Sequence, residues 1–170
     1  MNLKIIGAVL VLAGCGGCGF AMAAAQRREE QCLRQLLRAL EYMDCELQFR
    51  QPPLPLLCHN TAGILTGPMA LVFEHLYWEL EAQTAPDAGY CMRAVLTEFP
   101  GLAERVREAL SQLGSTLGRF DLPGQQKGLS AVGAYCRCAI DELSQNRSSR
   151  LRSYQTLGLC TGAALAILFL

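Results

Sequence analysis

The 170-residue sequence has no surplus of charge, since lysine plus arginine and aspartate plus glutamate each total 15. It therefore lacks a basic field to draw in nucleic acid and an acidic tail to solvate an extended arm. Histidine is almost missing: only His59 and His75 occur. His59 adjoins Cys58, but neighbours in sequence do not meet side chain to side chain, and no orienting carboxylate accompanies them. Glu79 and Glu81 read as the solvated edge of a helix rather than an acid/base pair. No GxxxxGK[ST] phosphate loop is present, which excludes an ATP motor of that type. No alternating strand pattern and no repeat of fixed period stands out. These absences lead us to expect no catalytic residues, no cofactor, no metal and no small-molecule substrate.

Apolar residues, by contrast, make up 51% of the chain and gather at its two ends. Ile5 to Ala25 contains no charge, a length that at about 1.5 Å per residue crosses a hydrocarbon core of about 30 Å. Arg27, Arg28, Arg34 and Arg38 follow it. Leu157 to Leu170 is uncharged as well, and Arg147, Arg150 and Arg152 precede it. It is short against the roughly 20 residues of a full span, although Tyr154 can sit at the interface and extend it. Arginines on the middle-facing side of both runs predict a membrane hairpin by the positive-inside bias. The expected division is an N-terminal transmembrane helix over 1–25, a cytoplasmic helical domain over 26–153 and a C-terminal transmembrane segment over 154–170, with both termini outside. A second reading starts from "LAGC", Leu12 to Cys15: an exported lipoprotein lipidated at Cys15. A third is an unrelated membrane-anchored helical adaptor.

Nine cysteines are scattered and odd in number, which suits a reducing compartment better than a disulfide framework. Cys15 and Cys18 fall inside the first apolar run. Cys136 and Cys138 form a C-x-C pair that a helix turns about 200° apart, a poor arrangement for one metal ion.

Between the apolar ends the spacing is helical throughout. Leu33, Leu36, Leu37, Leu40, Met43 and Leu47 form one stripe, which Pro52, Pro53 and Pro55 stop. A weaker piece covers Leu56 to Leu65. Gly67-Pro68 opens a helix with Met69, Val72, Phe73, Leu76, Tyr77 and Leu80 on one face. Thr84 to Gly89 reads as a loop and Cys91 to Phe99 as a short helix. Pro100 suits the first turn of the next helix, whose face is Leu102, Val106, Ala109, Leu110, Leu113 and Leu117, with Gly114 and Gly118 at a fraying end. Asp121 is placed to cap a last helix with Pro123 in its first turn and the stripe Leu129, Val132, Cys136, Ile140 and Leu143. With no breaker after Pro123, that helix can run through the polar neck Ser144 to Arg152 into the C-terminal apolar run. The fold class expected is all-α: an antiparallel helical bundle between two transmembrane helices.

Small residues recur at i+4 in both apolar runs: Ala13, Gly17 and Ala21 in the first, Gly158, Gly162 and Ala166 in the second. Such rows let helix backbones approach closely in lipid, here against each other or a partner.

The opening "KIIGAVLVL", the helix "LRQLLRALEYMDCEL", the proline break and the segment "LGRFDLPGQQKGL" together resemble the stage III sporulation protein AB family of endospore-forming bacteria. The likeness covers essentially the whole chain and is most specific at Leu117, Gly118, Asp121 and Gln125. It implies a membrane-anchored, mostly helical, non-enzymatic protein, similar to the platform protein of type II secretion and type IV pilus machines. In that role it would sit in the mother-cell membrane around the forespore and serve channel assembly. The partners implied are an AA-type ATPase of the same sporulation set, docking from the cytoplasm, and other membrane proteins of the complex. Asp121 and Gln125 read best as structural, and Arg119, Gln126 and Lys127 as candidates for the docking surface.

Overall fold

The computed structural model describes the backbone of residues 2–83, 87–118 and 121–169 and the side chains of residues 24–83, 87–118 and 121–145. Among the described residues there are six helices and no strand: α1 (Asn2–Phe49), α2 (Leu54–Ile64), α3 (Pro68–Glu81), α4 (Ala88–Glu98), α5 (Glu104–Thr116) and α6 (Leu122–Phe169).

The core is built around the two long helices. Leu33, Leu36, Leu40, Met43 and Leu47 of α1 are buried, as are Leu129, Val132, Cys136, Ala139 and Leu143 of α6. Each large apolar side chain so enclosed contributes about 1.5–3 kcal/mol. The packing is antiparallel. Near the middle, a Cβ built on Gly133 would sit 3.9 Å from both Leu37 and Leu40. Further along, Arg105 of α5 reaches Glu29 of α1 at 4.0 Å and Glu142 of α6 at 3.1 Å. Glu29 and Glu142 are thus level, so α1 enters and α6 leaves the bundle at the same pole. Phe73, Leu76 and Leu57 from the α2–α3 hairpin, Met92 and Val95 from α4, and Val106, Leu110 and Leu113 from α5 close the remaining sides of the core.

Several boundaries differ from the sequence-based expectation. The proline run does more than stop α1: Pro53 is the N-cap of α2 and Pro55 lies in its first turn, where a missing N–H costs nothing. The corner itself is made by Gln51 at φ 47°. Helix α4 begins at Ala88 because Asp87 caps it, accepting the Tyr90 N–H at 2.9 Å. Pro100 does not open α5. Leu102 N–H turns back to the Phe99 carbonyl at 3.3 Å, and the helix starts only at Glu104. Gly114 is not at a fraying end, since it is buried where α4 crosses α5 and a Cβ there would meet Met92 Cβ at 2.6 Å. On α6 the core position falls to Ala139, with Ile140 only half-buried.

Among the described residues no helix is long and apolar enough to cross a membrane. The runs Ile5–Ala25 and Leu157–Leu170, read above as spans, lie almost wholly outside the residues whose side chains are described.

Candidate functional site

The pole opposite the chain ends is formed by the α1–α2 corner and the start of α6. Leu117 is buried and ends α5, donating its N–H to the Leu113 carbonyl at 3.1 Å. Gly118 follows at φ 70°, the left-handed position that commonly terminates a helix and that glycine adopts without strain. Asp121 then caps α6: its Oδ1 accepts the Gly124 N–H at 3.3 Å, and its carbonyl accepts the Gln125 N–H at 2.9 Å. The short connection is therefore specified by one glycine and one carboxylate.

A cleft of about 240 Å³ opens at this pole, lined by Leu47, Pro52, Leu54, Leu57 and Leu122, with Gln51, Gly118 and Gln125 around them. The structure thus gathers Gly118 and Gln125 into one cleft, beside Leu117 and the Asp121 cap. Gln126 is half-buried, while Lys127 is exposed and turned about 200° away from Gln125 by the helix. Arg119 lies outside the described residues, as do the side chains of Ala13, Gly17, Ala21, Gly158, Gly162 and Ala166. Sequence reasoning missed the opposite wall of the cleft, Gln51 to Leu57. The run of prolines marked a break there without revealing that it folds back against the α5–α6 connection.

The cleft has apolar walls and two amides, so it can receive a side chain but offers no group to carry out a reaction. Elsewhere the buried thiols Cys58 and Cys136 are held protonated. Burial, with a smaller push from neighbouring Cys91, raises Cys58 to about 12, and burial raises Cys136 to about 11. A thiol held protonated is neither nucleophile nor metal ligand. Cys136 is buried and Cys138 exposed, so the C-x-C pair does turn apart. Cys58 is buried, whereas His59 packs at a tilt against Tyr77 with ring centroids 4.9 Å apart. Tyr135 donates its hydroxyl to Glu108 at 2.7 Å; burial first and that hydrogen bond second raise it to about 12. Among the described residues no group of His, Cys, Asp or Glu is arranged to hold a metal ion.

The chain matches the sequence profile of stage III sporulation protein AB over residues 4–170. It is 25% identical over 170 residues to stage III sporulation protein AB of Bacillus subtilis (strain 168), covering 99% of each chain. Its fold is similar to a solved structure of a stage III sporulation protein AB, with a TM-score of 0.64 at 22% identity, over 72% of this chain and 98% of the other. A profile match over nearly the full length, a relative of the same extent and the same helical fold agree with the Leu117 to Gln125 segment: the chain belongs to the stage III sporulation protein AB family.

Proposed function

We propose that the protein is a non-enzymatic membrane platform component of a secretion-like channel complex in endospore formation, acting in the mother cell and docking an AA-type ATPase. The family places the chain in sporulation. The observation that supports the finer reading is the antiparallel packing of α1 on α6, with Glu29 level with Glu142. Both apolar ends of the sequence are thereby directed to one pole, as two membrane anchors require. The other pole, with the cleft, the Asp121 cap and exposed Lys127, is free to face a cytoplasmic motor.

Topology is the decisive test. In a cysteine-free version of the chain, single cysteines near Arg28 and Arg150 are labelled in whole cells with a membrane-impermeant maleimide. Protection of both until the cells are opened is the expected result. Labelling of both in intact cells would put the domain outside and favour lipid attachment at Cys15. For docking, reversal of charge at Arg119 and Lys127 is expected to weaken ATPase binding while the circular dichroism stays helical; unchanged binding would retire that surface.

A further inference from the structure

The α2–α3 hairpin carries an outer face that no other described residue covers. Leu71 and Trp78 are 49% and 61% exposed. With exposed Glu74 and Glu81 they follow i, i+3, i+7 and i+10, so the four lie in one row along α3. From Leu54 to Glu81 the hairpin has three glutamates and no lysine or arginine. The row is therefore apolar and acidic.

Its complement lies on the same chain. A groove of about 1390 Å³ runs beside α1, bounded also by the starts of α3 and α5. Its lining includes Leu37, Met69 and Leu102, with Arg28, Arg34 and Arg38 along the α1 wall. Among the described residues Arg28 and Arg38 have no ion pair. Arg34 holds Glu30 at 2.7 Å with its side chain 63% exposed, a surface pair that exchanges readily for another carboxylate. The two carboxylates in the lining are Glu29, drawn towards Arg105 at 4.0 Å, and Glu41. Along the helix, the arginines cover about 15 Å and the two glutamates about 10 Å, at about 1.5 Å per residue. The basic wall can thus meet both acids while Leu71 and Trp78 enter the groove.

We infer that this groove receives the Leu71–Glu74–Trp78–Glu81 row of a second copy of the chain. The opposite charges set the register of the contact and Trp78 is its apolar anchor. The two surfaces are different, so copies join either as a pair that exchanges the contact twice or head to tail as a ring.

The test uses the full-length protein in detergent micelles, with sedimentation velocity for mass and fluorescence of Trp78, the sole tryptophan, for burial. Association with concentration and a shift of Trp78 emission to shorter wavelength are expected together. Glu74→Arg with Glu81→Arg should weaken association about tenfold, as should Arg34→Glu with Arg38→Glu. The chain carrying all four reversals should recover it. Trp78→Ala should cost about thirtyfold. Glu74→Gln with Glu81→Gln, which keeps shape and removes charge, should act in the same direction more weakly. A chain monomeric at every concentration, or association that none of these changes alters, or failure of the four-fold reversal to recover it, would overturn the inference.

Discussion

At the scale of single residues, the contacts that specify this protein are close and apolar. Gly114 lets α5 approach α4 so nearly that any side chain would collide with Met92, whose Cβ lies 2.6 Å from where a Cβ on Gly114 would stand. Gly114→Ala, which would improve helix propensity at an open site, should here lower stability by about 1–3 kcal/mol through overpacking, read as a drop in melting temperature. The buried thiols give a second expectation. Cys58 and Cys136 titrate near 12 and 11 in the folded chain, up from 9.0, so folding favours their protonated forms. That contribution is complete below about pH 9 and is lost as pH rises towards those higher values. Denaturant midpoints should therefore fall on the alkaline side. Maleimide should label exposed Cys45 and Cys138 quickly and leave Cys58, Cys91 and Cys136 untouched until the chain unfolds.

At the scale of helices, the ends are held by individual side chains. Arg107 donates from Nη1 to the carbonyls of Leu96 at 2.9 Å and Phe99 at 3.1 Å, satisfying acceptors that the end of α4 leaves open. Arg107→Ala should cost about 1.5–3 kcal/mol in thermal unfolding, the range for hydrogen bonds to a charged donor. Asp121→Ala, which removes the cap of α6, should cost about 1 kcal/mol in thermal unfolding. The stripes of α1 and α3 were legible in the sequence because Leu33 to Leu47 and Met69 to Leu76 each carry one buried face, and Asp121 because a capping residue stood two positions before a proline. The start of α5 was not legible: Pro100 is an acceptable first-turn residue, and only the turn from Phe99 to Leu102 disqualifies it. Nor could the cleft be read, since Gln51 and Gly118 are far apart in sequence and meet only through the fold. Ile140 lost its core position to Ala139 because the buried positions of α6, Leu129, Val132, Cys136, Ala139 and Leu143, alternate steps of three and four, and the step after Cys136 is three.

At the scale of the molecule, the pairing of α1 with α6 fixes where the chain enters and leaves. Spin labels at Arg27 and Gln145, one on each helix near that pole, should report a separation close to that of packed helices, about 10 Å plus the label arms. A wide distribution would contradict the antiparallel register set by Gly133 and Arg105. α1 and α6 are each 48 residues long, and neither has a proline between the core and its chain end. Helices bend sharply at identifiable breaks, proline foremost, so no proline hinge separates the bundle from its ends. Between the cleft and the level of Glu29 and Glu142, a load would travel as a tilt of two packed rods, with the core as their shared fulcrum.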